Sequence, residues 1–185
     1  MACVGLSLPV LGALRTIDVA SHAPAPPAYA NLPARDQPIP DGGVTAARFV
    51  RDHSSPNDMI ATNAHCRTPK TGPCDSRNHW VSAWSERRAV LAGWGYSATS
   101  NEGAANMSDV VHRPFWDLKL LALNDNVFRH PSRASLMALT RRYPVRWLIV
   151  DTRFPASVSE LARLLPANHR FGDTVVYEVP VSLSS

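Results

Sequence analysis

Charge is scarce in this sequence. Asp, Glu, Lys and Arg make up 18% of its residues, against roughly a quarter in an average soluble domain. The nineteen cationic residues are nearly all arginine and are scattered, with Arg87-Arg88 and Arg141-Arg142 as the only adjacent basic pairs. Recognition of a phosphate backbone needs a basic stripe whose contacts release counterions, so no nucleic-acid partner is expected.

Long apolar runs are absent as well. Residues 1–14 carry no charged side chain, but a bilayer span takes about 20 apolar residues. No basic segment precedes this stretch and no small-residue cleavage site follows at once, so it does not read as a secretory signal. Two readings of residues 1–16 stay open: an apolar leader packed on the folded domain, or the last part of a transmembrane helix that begins outside this chain.

The familiar catalytic signatures are missing too. Gly93-Trp94-Gly95-Tyr96-Ser97-Ala98 opens like a dinucleotide fingerprint, yet Ala98 stands where the third glycine belongs. There is no Gly-x-Ser-x-Gly elbow, no phosphate-binding P-loop, no His-Glu-x-x-His and no Asp-x-Asp, so no catalytic residue and no cofactor are assigned.

What remains is ordinary globular material. At 185 residues with 45% hydrophobic content, the chain is long enough for one domain of roughly 100–150 residues plus a tail. Residues 17–43 are rich in Pro and Ala, with Pro24, Pro26, Pro27, Pro33, Pro38 and Pro40 removing backbone donors. Such a stretch reads as a tether. Asp41-Gly42-Gly43 marks a turn, and the domain is expected over residues 44–181.

Within that span helices and strands alternate. Ala46, Ala47, Phe49 and Val50 place a helix over residues 44–53, ended by the Ser55-Pro56 step. Residues 59–62 read as a short buried strand, and residues 80–91 as a strand, a turn at Glu86-Arg87-Arg88 and a second strand. Pro114 as a first helical residue, then Trp116, Leu120, Leu123 and Val127, predict a helix over 114–129. Ser132 is expected to cap the next. Residues 146–151 (Arg-Trp-Leu-Ile-Val-Asp) form the clearest strand, apolar enough to be covered on both faces.

Ser157-Val158-Ser159-Glu160 has the pattern of a capping box. Gly172-Asp173 turns the chain into a closing strand over 174–179. Residues 97–111, small and polar, read as a mobile loop. The sum is a small layered α/β domain with a mostly parallel sheet, helices packed on it and an antiparallel C-terminal hairpin.

Ligands of such sheets approach the carboxyl ends of the parallel strands. Asn63 and His65 follow the first strand, and Asp151 ends the long one, so these three are candidate ligand-binding residues; the plainer reading is loop chemistry, with Asp151 capping a turn. Cys66 and Cys74 share one loop with His65 and His79 nearby, and seven residues separate the two cysteines. That is wider than the two-to-four spacing of a zinc knuckle, so no metal is expected. A disulfide closing the loop would stabilise by roughly 2.5 kcal/mol in the chain-entropy model and needs an oxidising compartment, whereas two free thiols fit a reducing one.

One stretch is more specific. Asn63-Ala64-His65-Cys66, then Cys74-Asp75-x-Arg77-x-His79-Trp80, then Ser85-Glu86-Arg87-Arg88-Ala89-Val90-Leu91-x-Gly93-Trp94-Gly95-Tyr96, with Asp125-Asn126-x-Phe128 and residues 172–178 later, resembles the carboxy-terminal extracytoplasmic domain of large bacterial multi-pass membrane proteins related to the GT-C glycosyltransferases. The resemblance spans about residues 44–180 and is most specific over 85–96. It implies a non-catalytic domain on the extracytoplasmic side of the cell membrane. It also implies that residues 1–16 end a membrane helix, that Cys66 and Cys74 form a disulfide, and that the ligand is a glycan or a lipid phosphate positioned for a distant active site.

The same segment holds further candidate ligand-binding residues: Glu86, Arg87, Arg88, Trp94 and Tyr96, since aromatic faces stack on sugar rings and guanidinium forks bind hydroxyls, carboxylates or phosphates. Their plainer reading is an internal ion pair and packed aromatic rings. Two other functions fit the residues: a stand-alone soluble α/β module that binds a small molecule, or a thiol or metal enzyme built on His65, Cys66 and His79.

Overall fold

The computed structural model describes Pro33, residues 36–69 and residues 73–183. The chain divides into Met1–Asn31 and Leu32–Ser185. The apolar leader and most of the tether, residues 17–32, lie outside the described residues. Among those described, no helix is long and apolar enough to cross a membrane.

Helix α1 covers Gly43–His53 and strand β1 Met59–Thr62. Helix α2, Trp80–Ser85, leads into the two-residue strand β2, Arg88–Ala89. Four helices follow: α3 Ala98–Asn101, α4 Met107–His112, α5 Leu118–Arg129 and α6 Arg133–Arg142. Strand β3, Val145–Asp151, helix α7, Val158–Leu164, and the hairpin β4 Asn168–Phe171 and β5 Thr174–Glu178 complete the fold before a short 3-10 turn at Val181–Leu183.

The sheet has the order β2-β1-β3-β5-β4. Strands β2, β1 and β3 are parallel, and β5 and β4 add to them antiparallel, so the layered α/β domain with a parallel core and an antiparallel hairpin is what forms. Side chains of β3 alternate between the faces, as a strand period of two requires. Leu148 and Val150 join Ala61, Val127, Phe128, Leu136, Leu139, Leu161 and Tyr177 under α5, α6 and α7. Trp147 and Ile149 join Ala46, Ala47, Val50, Ile60, Trp80 and Val81 under α1 and α2. A strand covered by helices on both sides has no face for water, which is why residues 147–150 read as a continuous apolar run.

Four local expectations are corrected. Residues 80–85 are helical instead of extended, because Trp80 and Val81 gain more by packing onto the α1 cluster than by following their β preference. The helix ends at Glu86, a non-glycine residue with φ 52°, whose N–H donates to Ser82 O at 3.0 Å. Helix α5 starts at Leu118, four residues after Pro114, because the Asp117 side chain accepts from Leu120 N at 2.9 Å and caps it there. Ser157 makes no capping bond; its hydroxyl donates to Arg129 O at 2.9 Å and ties α7 to the end of α5. Residues 97–111, read as loop, contain α3 and α4, capped by the Ser97 and Asn106 side chains.

The folded unit also takes in the end of the tether. Ile39 packs on the α1 side of the sheet and Pro40 is buried. Asp173 N donates to Asp41 O at 3.1 Å, across the hairpin turn. Gly172 in that turn has φ 54°, and a Cβ there would lie 2.3 Å from Asp41 Oδ2. Only glycine meets both demands.

Candidate functional site

The chain leaves β1 toward β2 on one side and leaves β3 through α7 toward β4 on the other, so the two loops diverge at the carboxyl ends of adjacent parallel strands. That divergence opens a crevice, the usual ligand position in such sheets. A pocket of about 280 Å³ fills it here. Asn63, His65 and the Cys66–Cys74 disulfide line it from the β1 side and Phe154 from the β3 side, while Trp94 and Phe115 close it with aromatic surface.

The Gly93-Trp94-Gly95 segment is explained by this wall. Gly93 N donates to Asn78 O at 2.8 Å and Gly95 N to Ser76 O at 3.1 Å. A Cβ on Gly93 would sit 2.3 Å from Ser76 O, so close backbone approach accounts for the glycine there. Trp94 between them is buried, with Nε1 donating to Arg113 O at 2.8 Å and its ring 5.1 Å from that of Phe115.

The disulfide is present, as the resemblance implied. Around it, Arg67 N donates to Asp75 O at 2.7 Å and Asn78 Nδ2 to Cys66 O at 2.7 Å. Arg77 clamps the Asp75 carboxylate with two bonds of 2.8 and 2.6 Å, which holds that carboxyl below its ordinary value against the opposing effect of partial burial. Each sulfur is bonded to the other, so neither is a thiolate, and the thiol-enzyme reading loses its nucleophile. Among the described residues no three His, Cys, Asp or Glu side chains gather where they could hold a metal ion.

The polar end of the pocket is a pair that sequence reasoning did not assemble. His65 Nε2 lies 2.9 Å from Asp125 Oδ1 on α5, and Arg129, one turn further along that helix, is 3.6 Å from Asp125 Oδ2. Burial pushes the Asp125 carboxyl up, but the hydrogen bond and charge of His65, then Asn124 and Arg129, outweigh it and leave the group below its ordinary value. The legible signal was Asn124. It occupies the inner stripe of α5 with Leu120, Val127 and Phe128, is fully buried, and donates to Thr62 O at 3.0 Å. A polar residue in an apolar register marks a buried network.

The remaining candidates are engaged in the fold, and all but Asn63 lie away from the pocket. Asn63 lines the pocket, but its carboxamide is spent on the Asp151 backbone. Asp151 is fully buried, with Arg153 gripping both carboxylate oxygens at 3.0 and 2.8 Å. Glu86 is exposed and pairs with Arg51 at 3.4 Å. Arg87 donates to Ser54 Oγ, Ser54 O and Arg51 O at 2.7–2.8 Å, closing the carboxyl end of α1. Arg88 is exposed on β2, and Tyr96 stacks on the His79 ring 5.9 Å away. None of these last four lines the pocket.

No protein-family model, curated protein or solved structure matches the chain. The likeness over residues 85–96 rests on those residues alone. Their geometry is architectural: a helix stop at Glu86, a helix cap at Arg87 and a pocket wall at Trp94.

Proposed function

We propose that this chain is a non-catalytic, extracytoplasmic α/β domain of a membrane glycosyltransferase-like protein, and that the pocket at the ends of β1 and β3 holds its glycan or lipid-phosphate ligand. The observation that carries the reading is the pocket: a concave, aromatic-lined site with one polar end, at the place where α/β sheets bind ligands. Trp94 and Phe115 offer faces for a sugar ring or an isoprenoid, and His65, Asp125 and Arg129 offer hydrogen bonds and charge. A disulfide in the wall is compatible with an oxidising compartment.

Two probes with one apolar part and different heads test the pocket: phenyl β-glucoside and phenyl phosphate, titrated against tryptophan fluorescence. At least one is expected to bind, with its signal lost in Trp94→Phe. Absence of binding by both at millimolar concentration overturns the ligand reading. Fractionation of the source cells tests the location, since recovery of the chain in the soluble cytosol with reduced Cys66 and Cys74 contradicts an extracytoplasmic membrane domain.

A further inference from the structure

The polar side chains around the pocket are spent on the protein itself. Asn63 lines it, but both ends of its carboxamide are bonded to the Asp151 backbone. His65 Nε2 lies 2.9 Å from Asp125 Oδ1, and the other ring nitrogen is sealed from solvent. Trp94 Nε1 donates to Arg113 O at 2.8 Å. The sulfurs of Cys66 and Cys74 are bonded to each other and carry no proton. Asp125 and Arg129 are left, paired at 3.6 Å, and Arg129 is 56% exposed. Polar groups with capacity to spare therefore stand only where the pocket meets solvent.

The rest of the wall is hydrocarbon: Leu118, Leu121 and Phe128 of α5, with Phe115, Trp94 and Phe154. A sugar ring buried there would take several hydroxyls out of water and give them no partner. Each such hydroxyl costs roughly fivefold to 150-fold in affinity. A hydrocarbon group loses nothing on entry and gains by leaving water.

Apolar surface also runs on past the mouth. The rings of Trp94, Phe115 and Trp116 follow one another at 5.1 and 4.5 Å between centroids, the first two buried and the third 49% exposed. Leu118, part of the pocket wall, is 67% exposed. This row gives an apolar path from the interior to the surface. An apolar cavity of about 150 Å³ takes one benzene ring, so about 280 Å³ has room for roughly ten carbon atoms.

Resting on the reading that this pocket binds a small molecule, we infer that the part of the ligand held inside it is a single hydrocarbon chain of roughly ten carbons, lying between Leu121, Phe154 and the Trp94–Phe115 faces. The ligand's polar head, sugar or otherwise, stays in water at the mouth beside Arg129. Chain length, and not the pattern of hydroxyls, sets the affinity.

The test is a series of β-glucosides with methyl, butyl, hexyl and octyl tails, titrated by calorimetry against the wild-type chain below their micelle concentrations. Affinity is expected to rise about threefold to fourfold for each added methylene, the transfer free energy of one CH2. In the complex with hexyl glucoside, proton NOEs are expected from the terminal methyl to Leu121 and from the sugar to Arg129. Leu121→Trp, a substitution at a partly buried position that fills the cavity, is expected to abolish the gain beyond butyl. Affinity independent of tail length, or NOEs that put the sugar against Leu121, overturns the inference and leaves the ligand-binding reading standing. A tail-length dependence unchanged in folded Leu121→Trp overturns it too, because the tail then lies on another surface; should that variant not fold, the wild-type NOEs decide. Binding of phenyl β-glucoside or phenyl phosphate with none of the alkyl series has the same meaning. Failure of all these probes to bind removes the inference and the ligand reading together.

Discussion

The side chain of Asn63 continues the β1–β3 ladder one step beyond its last backbone pair: Nδ2 donates to Asp151 O at 3.0 Å and Oδ1 accepts from Asp151 N at 2.9 Å. The carboxamide thus behaves as a peptide group on loan to the sheet, holding the two strand ends at the mouth of the pocket. Replacing it by alanine leaves a buried N–H and a buried C=O unpaired, at about 1–3 kcal/mol for each. Asn63→Ala is expected to lower stability by about 2–4 kcal/mol in urea unfolding; a loss below about 1 kcal/mol would show that water replaces the amide.

Asp151 and Arg153 form the most enclosed ion pair among the described residues, with side chains 0% and 7% exposed. Removing one partner strands the other. Arg153→Met is expected to cost about 3–5 kcal/mol, and adding Asp151→Asn should recover a large part of it. Equal destabilisation by the single and the double variant would mean that the bond from Arg153 to Gln37 O matters more than the charge pair.

Arg87 separates an architectural role from a ligand role. Its guanidinium reaches three oxygens at the end of α1, so Arg87→Met is expected to destabilise the domain by about 2 kcal/mol, within the range for hydrogen bonds to a charged group. Probe affinity in the pocket should stay within twofold, measured by the fluorescence titration. A selective loss of binding with unchanged stability would put Arg87 back among the ligand residues.

The disulfide links stability to the pocket wall. Replacing both Cys66 and Cys74 by alanine opens a short loop and is expected to cost roughly 2.5 kcal/mol in the chain-entropy model. Because both residues line the pocket, probe affinity should fall as well. Unaltered affinity in the double variant would show that the backbone bonds of Arg67 and Asn78 hold the wall without the sulfur bridge.

His79 makes stability depend on pH. Burial lowers its pKa, so the unfolded chain takes up a proton at a pH where the folded chain still refuses it. Stability from this group is complete above the unfolded value, about 6.5, and falls as pH drops from there toward the folded pKa. Histidine-to-glutamine substitution at 79 should flatten that limb of a stability-versus-pH curve. Asp125 acts lower down: its pKa is depressed, so its contribution is present above about 3.9 and is lost as pH falls through the folded value. Asp125→Asn should remove that acid limb alone.

Strand β1, the hairpin at Gly172-Asp173 and the Ser132 cap were all legible because each is written within a few neighbouring residues: an apolar run, a turn pair, a hydroxyl ahead of a helical stripe. Helix α2 was not. Trp80, Val81 and Trp84 favour strands locally, and only the covering of Val50 and Ile60 turns that stretch into a helix. Residues 85–96 stood out for a sound reason, and the structure gives most of them an architectural place. Arginines, glycines and aromatics there are demanded by a helix end, a close backbone approach and a pocket wall, and only Trp94 of them reaches the pocket.

By itself the sequence determined most of the elements, the continuous apolar run that buries β3 on both faces, and the cysteine pair close enough along the chain to bridge. Tertiary structure alone decided the site. His65 and Asp125 stand 60 residues apart, on a strand end and a helix whose meeting depends on which side of β1 the chain crosses. Hydrogen-bond partners across such a crossover follow from how the sheet closes, and no local period carries that information.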